Sequence, residues 1–331
     1  MEYKRLGKSG LQVSRLSFGS WLTFGKQVGD TTAESLMKIA YDNGINFFDN
    51  AEAYAGGKSE EVMGEVLKKM NWRRDSYIVS SKVFFGADGG KGDIKPTQKG
   101  LNRKHVIEAC DQALQRLQVD YLDLYFCHRP DKETPIEETV WSMHNLIQQG
   151  KVLYWGTSEW SAQEIIEAHM VAKQYNLIGP TMEQPQYNML VRDKVEVEFK
   201  QIYKTVGLGT TTWSPLASGI LTGKYNDGFP KDTRLGIEGL EWLKDRLLAE
   251  ENLKKVKKLT EFAKELGTTM PLLALAWCLK NEDVSTVILG ASKNEQLTEN
   301  LKAFEVVPLL TEEVMEKIEA TLENAPVHPP F

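Results

Sequence analysis

Four side chains within the first 128 residues have the types needed to move a proton onto a carbonyl oxygen: Asp49, Tyr54, Lys82 and His128. Reducing a carbonyl takes a hydride to carbon and a proton to oxygen, and the proton must come from an acid suited to the working pH. A free phenol, with a pKa near ~10, is too weak. An ammonium beside it favours the phenolate and brings that value down. A fall of ~2–3 units requires roughly 3–4 kcal/mol of differential interaction. The expected arrangement has Tyr54 as the acid and a desolvated Lys82 against it. Asp49 would hold and balance Lys82, and His128 would orient the substrate oxygen. Each residue alone has a plainer reading: Asp49 as an N-cap, Tyr54 as a rim aromatic, Lys82 as a solvated strand end, His128 as part of a polar turn. Only the combination points to chemistry.

Three of the four end short apolar runs, and those runs recur. Strands are expected at Arg15 to Phe18, Phe47 to Asp49, Tyr77 to Lys82, Leu122 to Cys127, Val152 to Thr157, Thr181 to Gln184, Gly209 to Trp213 and Thr286 to Leu289. A small hairpin, Tyr3 to Leu6 and Leu11 to Val13, precedes them. Amphipathic helical patterns lie between, at Thr32 to Asn43, Ser59 to Met70, His105 to Leu117, Ile136 to Gln149, Ala162 to Tyr175, Val195 to Val206, Leu247 to Leu266 and Met270 to Lys280, and one at Glu312 to Leu322 closes the chain. Strands joined through helices pair in parallel by right-handed crossovers. A count of eight favours a closed (β/α)8 TIM barrel over a doubly wound sheet. The doubly wound alternative needs a phosphate-binding turn after its first strand, where this chain reads Gly19-Ser20-Trp21-Leu22-Thr23-Phe24-Gly25, without GxGxxG. No Walker A sequence occurs. In such barrels the chemistry sits at the strands' C-terminal ends. Those ends carry Asp49 with Tyr54, Lys82, His128, Ser158 with Glu159, Gln184, Ser214, and Gly290 with Ser292.

The 331 residues, 41% hydrophobic and 26% charged, read as one folded barrel domain spanning 1–331. A net charge of −6 offers no general attraction to nucleic acid or anionic lipid. Three separated cysteines without a CxxC imply buried free thiols and a reducing, cytoplasmic setting. The N-terminus shows no signal sequence, and no apolar run is long enough for membrane insertion. The five histidines form no HxH or HExxH, so no metal site is expected and a metal-dependent hydrolase is disfavoured. His105, His144 and His169 fall on helical patterns, where solvent exposure is expected. The segment Ala217 to Asp245 is too long for an ordinary connection and suits a lid. The glycine-rich loop Phe84 to Lys95 is expected to be mobile. Trp21, Phe84, Phe85 and Trp160 are candidate aromatic walls of the pocket.

The runs Asn46-Phe47-Phe48-Asp49-Asn50-Ala51-Glu52-Ala53-Tyr54, Ser80-Ser81-Lys82 and Cys127-His128-Arg129-Pro130-Asp131 resemble the aldo-keto reductase superfamily. The resemblance covers essentially the whole chain. It is strongest to the branch containing the β subunits of voltage-gated potassium channels, through Trp155-Gly156-Thr157-Ser158, Thr212-Trp213-Ser214-Pro215-Leu216-Ala217, and Leu289-Gly290-Ala291-Ser292 through Glu299-Asn300. It implies a barrel whose bottom is closed by the hairpin, a catalytic tetrad at the four residues above, and NADPH bound without a Rossmann turn. Ser158 and Gln184 would hold the carboxamide, and Trp213 would flank the nicotinamide. Ser214, Leu216, Ser218 and Lys224 would line the pyrophosphate path, joined by Arg234, with Ser218 to Arg234 as a belt. Ser292, Lys293 and Gln296 would meet the 2′-phosphate, with Glu299 and Asn300 near adenine. Ser20, Trp21, Gln27, Asp49, Pro215, Ala217, Gly219 and Gly290 complete the implied cofactor contacts. Lys293 supplies a charge that NAD would not need, which favours NADPH. Two departures stand out. The channel β subunits have asparagine where this chain has His128, and arginine where it has Glu159, to which no role is given. No N-terminal extension able to plug a channel is expected, since the chain starts directly at the hairpin. The implied partners are a small carbonyl substrate, a homo-tetramer and, as the alternative function, a potassium channel regulated by a redox-sensing subunit with little turnover.

Overall fold

The computed structural model describes residues 1–25, 27–89, 94–226, 228 and 250–329. A two-stranded antiparallel hairpin, β1 (Tyr3–Arg5) and β2 (Gln12–Ser14), opens the chain. Eight parallel strands follow: β3 (Leu16–Gly19), β4 (Phe47–Asp49), β5 (Ile78–Val83), β6 (Leu122–Cys127), β7 (Val152–Thr157), β8 (Met182–Glu183), β9 (Gly209–Thr212) and β10 (Thr286–Leu289). They close into a barrel, with β10 pairing both β3 and β9. This is the (β/α)8 barrel that the strand count implied.

The strands look uniformly apolar at the bottom because they are buried on both faces. Their outward residues, such as Phe48, Val79, Tyr125 and Cys127, join the helices in one large core. Their inward residues form two layers. Phe47, Ile78, Leu124, Phe126 and Met182 pack with Leu6 and Val13 of the hairpin into a second cluster that stops the lower end. Burying each such side chain contributes on the order of 1.5–3 kcal/mol. Two residues further along the same strands, on the same face, come Asp49, Ser80 and then Lys82, His128 and Gln184. Gly156 is required on β7: a Cβ there would sit 2.3 Å from the Met182 carbonyl oxygen.

The helices explain their own ends. Arg103–Leu117 buries Val106, Ala109, Cys110, Ala113 and Leu117 at helical spacing, and Asn102 caps its start. Ala162–Gln174 begins with a capping box from Ser161 and Glu164. The helical pattern at Val195 to Val206 is not one helix. It opens as a widened turn, Lys194–Glu198, pinned by Arg192 to Glu196 at 2.8 Å, before the helix Lys200–Thr205. Short helices at Asn294–Asn300 and Ala303–Val306 were not legible, since each buries only two side chains. No helix among the described residues is long and apolar enough to cross a membrane.

Candidate active site

Asp49 leaves the end of β4 and Lys82 stands one residue before the end of β5. Lys82 is wholly buried, and its Nζ donates to Asp49 Oδ2 at 2.6 Å, to the Asn50 carbonyl at 2.8 Å and to Tyr54 Oη at 3.1 Å. Asp49 Oδ1 accepts from Ser80 Oγ at 2.8 Å and from Gln184 Nε2 at 3.1 Å. Three strands thus converge on one carboxyl. Burial pulls the Lys82 ammonium down, but Asp49 and Tyr54 outweigh it and leave the value above the ordinary one, so Lys82 stays charged. Tyr54 differs from expectation. Burial raises its phenol more than Lys82 lowers it, and the net direction is upward. Charging a desolvated phenolate costs more than one ammonium returns. Tyr54 therefore holds its proton firmly until a reaction takes it.

His128 follows β6, edge-on to Tyr54 at 5.8 Å and to Phe85 at 5.2 Å. Burial, with help from Lys82 and Arg129, pushes its imidazole well below the usual value, so it is neutral. Its Nδ1 is buried without a partner among the described residues. These residues floor a cavity of about 1050 Å³ that runs from Asp49, Tyr54 and His128 to Lys293, Gln296 and Asn300. Trp21, Gln27, Ser158, Gln184, Trp213, Ser214, Pro215, Leu216, Ser218, Gly219, Lys224, Gly290, Ser292 and Glu299 also line it. Ser20 and Ala217 do not. Ser20 is buried behind the wall, its Oγ donating to the Asp49 carbonyl at 3.0 Å, and Ala217 is fully buried. Arg234 lies outside the described residues. Of the candidate aromatic walls, Trp21 and Phe85 face the cavity, whereas Trp160 is buried in the core and Phe84 packs against it.

The middle of the cavity is built by backbone. Ser214, Ala217, Ser218 and Gly219 all have left-handed φ, between 46° and 97°. This coil folds Ser218 N–H back onto Ser214 Oγ at 3.1 Å and leaves Ser218 Oγ buried without a partner among the described residues. Unpartnered polar atoms at both Ser218 and His128 suit a polar ligand that spans the cavity. A long anionic dinucleotide fits this wall, with the ammonium-bearing Lys224 and Lys293 both in the lining.

Glu159 has a role after all. It turns with a left-handed φ of 60°. Its Oε1 accepts from Trp213 Nε1 at 3.0 Å and from the Gln186 amide at 2.6 Å, and its Oε2 pairs with Lys194 Nζ at 3.1 Å. Burial works against its ionisation, but Lys194 and these donors win and hold the carboxyl below its usual value. It points away from the cavity and fixes the indole that faces in. Arg129, another lining residue, was quoted in the His128 motif without a role. Ser80 could have been found by parity, two residues before Lys82 on the same inward face. The Asn50 carbonyl that accepts from Lys82 has no side-chain signal at all. His105 is buried against Glu52 at 3.3 Å, not solvent-exposed, and His144 and His169 are half-buried.

Residues 15–323 match the model of the aldo/keto reductase family. The chain belongs to the aldo/keto reductase family. Its similarity to curated members extends over nearly its whole length. It is 51% identical over 330 residues to a probable voltage-gated potassium channel subunit beta of Arabidopsis thaliana, covering 99% of each chain. A protein of the same description from Oryza sativa subsp. japonica is 51% identical over 327 residues, covering 98% of each. The closed barrel and the N-terminal hairpin are thus those that the resemblance implied.

Proposed function

We propose that this aldo/keto reductase works as a single barrel unit that reduces aldehydes and ketones to alcohols with NADPH, Tyr54 giving the proton. The observation that carries this reading is the fully buried Lys82 ammonium, bonded to both Asp49 and Tyr54 Oη at the floor of the cavity. When bound, the dinucleotide supplies a hydride. The chain's own residues do the rest. Tyr54 donates to the carbonyl oxygen, and the phenolate it leaves forms 3.1 Å from the Lys82 ammonium. That attraction, roughly 5 kcal/mol at an effective dielectric of ~20, exists only once the proton moves. It therefore favours the transition state over the bound substrate. Neutral His128 can hydrogen-bond the substrate oxygen without competing with Lys82 for the negative charge. Lys293 supports NADPH over NADH. Tyr54→Phe tests the assignment: NADPH oxidation with an aldehyde should fall ~10²–10⁴-fold with cofactor affinity unchanged. Wild-type turnover in that variant would remove Tyr54 from the role.

The names of the two plant relatives favour a second reading of the same scaffold, a β subunit of a voltage-gated potassium channel; in that reading the chain is a tetrameric redox-sensing regulator with little turnover. Co-purification with a channel's cytoplasmic domain, at a mass four times that of the chain, would support it. The neutral His128 favours the enzyme.

A further inference from the structure

We propose that Glu52 and His105 are positioning residues that hold the Phe85 wall of the cavity against His128 and so set which carbonyl substrates fit. This rests on the reductase reading of the site. Neither residue touches the four catalytic side chains by any hydrogen bond in the structure, and both are almost completely buried, at 2% and 5% exposure.

Glu52 follows β4, two residues before Tyr54. Its amide donates to the Lys82 carbonyl at 3.2 Å. Its Oε1 accepts from the amides of Phe84 and Gly86 at 2.8 and 2.9 Å, the residues on either side of Phe85. Its Oε2 lies 3.3 Å from His105 Nε2. His105, in the first turn of the helix Arg103–Leu117, bonds through Nδ1 to the Gly100 carbonyl at 2.8 Å. The Gly100 amide donates to the Phe84 carbonyl at 2.7 Å, which closes the circuit. Asp131, three residues after His128, extends it: its Oδ2 accepts from the Leu101 amide at 2.7 Å. The loops after β4, β5 and β6, which deliver Tyr54, Phe85 and His128, are therefore tied at one buried point. The start of the loop expected to be mobile is pinned.

The proton count follows from the acceptors. A carbonyl only accepts, so Nδ1 carries a hydrogen. A neutral His105 would then turn the lone pair of Nε2 toward Glu52, and the 3.3 Å contact would repel. The contact holds only when a proton lies between Nε2 and Oε2, and the pair is then an imidazolium against a carboxylate. Consistent with this, burial lowers the imidazole but Glu52 and the Gly100 carbonyl outweigh it, and the net shift is upward from 6.5. The other charged groups facing the pair are Glu108 on the same helix, Glu60 with its partner Arg116 behind Glu52, and Asp131 across Gly100. A raised histidine contributes its interaction fully below 6.5 and loses it as pH climbs through the folded value.

The experiment compares wild type with His105→Asn and Glu52→Gln, the second keeping an acceptor for the two amides. A bulky aromatic aldehyde and a small aliphatic one are the substrates, and hydrogen exchange is followed at the Phe84 and Gly86 amides. We expect kcat/KM for the bulky aldehyde to fall about 10-fold in both variants, mostly through KM, a change equivalent to one decade of binding. The small aldehyde should change less than about 3-fold, and NADPH affinity should not move. Wild type should lose bulky-aldehyde efficiency above the raised His105 value, and His105→Asn should lack that limb. Exchange at Phe84 and Gly86, corrected for intrinsic rates, should accelerate in the variants. Equal losses on both aldehydes, unchanged exchange, or a pH limb that survives His105→Asn would each overturn the proposal. If wild type reduces no carbonyl, the reductase reading fails, and the exchange data still decide whether Glu52 and His105 hold the loop. If His105→Asn does not fold, Glu52→Gln carries the same comparison.

Discussion

Glu183 offers a stability test whose size and sign follow from its place in β8. Met182 and Gln184 face into the barrel, so the intervening Glu183 faces the helices and is fully buried. Thr157 Oγ1 donates to its Oε2, and its Oε1 has no partner among the described residues. Burial pushes the carboxyl up from 4.5 to about 8. An acid with a raised folded value keeps its proton in the fold after the unfolded chain has released it. Stability is therefore lost as pH rises from 4.5 toward 8. At neutral pH the span is about 2.5 units, or roughly 3 kcal/mol, rising to roughly 5 kcal/mol above pH ~8.5. Glu183→Gln keeps the shape and an acceptor for Thr157 and removes the titration. A 331-residue chain unfolds with an entropy of ~0.7 kcal/mol per kelvin. The variant should thus melt about 4–5 °C higher than wild type near pH 7, about 7 °C higher near pH 8.5, and within about 1 °C of it near pH 5. Thermal unfolding of both proteins across that range is the assay. A melting difference independent of pH, or a variant that is less stable at pH 8.5, would show that Glu183 does not carry a buried proton.

The site yields three further expectations. Asp49→Asn leaves Lys82 buried without a carboxylate, beside only neutral groups such as Tyr54 and the Asn50 carbonyl, so burial should drag the ammonium down from its raised value. The alkaline limb of kcat should move toward neutral pH, with a loss of about 100-fold, as read from a pH–rate profile. Glu159→Ala should strand the Trp213 indole N–H at a cost of ~1–3 kcal/mol and weaken NADPH in a fluorescence titration, while Glu159→Gln should restore most of the affinity. Lys293→Ala should cut the preference for NADPH over NADH about 10-fold, the worth of one charge-assisted contact, measured as a ratio of dissociation constants.

Much of this site was legible because strands alternate faces. Asp49, Lys82, His128 and Gln184 each sit at an expected strand end, and the structure brings Asp49, His128 and Gln184 to one basin with Lys82 bonded to Asp49 behind its wall. The eight strands were located within a residue or two for the same reason, since apolar runs that short between helical patterns have few other uses. What escaped was long-range and polar. Nothing in the spacing of Glu52 and His105, or of Glu159 and Trp213, says that they meet. Their pairing depends on loop paths, set by backbone groups such as the Gly100 carbonyl and the Phe84 and Gly86 amides. The direction of the Tyr54 shift failed for a related reason. Sequence names the ammonium that lowers a phenol, but burial, which raises it, is a property of the assembled cavity.

The barrel resolves a conflict that the site creates. Lys82, Asp49, Glu52, His105 and Glu183 are all buried and ionisable, and such groups cost more stability than well-packed apolar side chains of equal size. They are tolerated because the same strands that carry the first two upward carry Phe47 and Ile78 below them, in a lower layer sealed by Leu6 and Val13 of the hairpin. A one-residue slip of β5 against β4 would turn Lys82 out among the helices and bring Ser81 and Val83 in. That slip is disfavoured because it would take Ile78 out of the inner layer it shares with Phe47 and drive the Lys82 ammonium into the apolar core between strands and helices. The contact between Lys82 and Asp49 is thus held by the packing beneath it as much as by its own attraction. A fold alone does not specify function. In this chain the register that makes the bottom of the barrel stable is the register that makes its top an acid–base site.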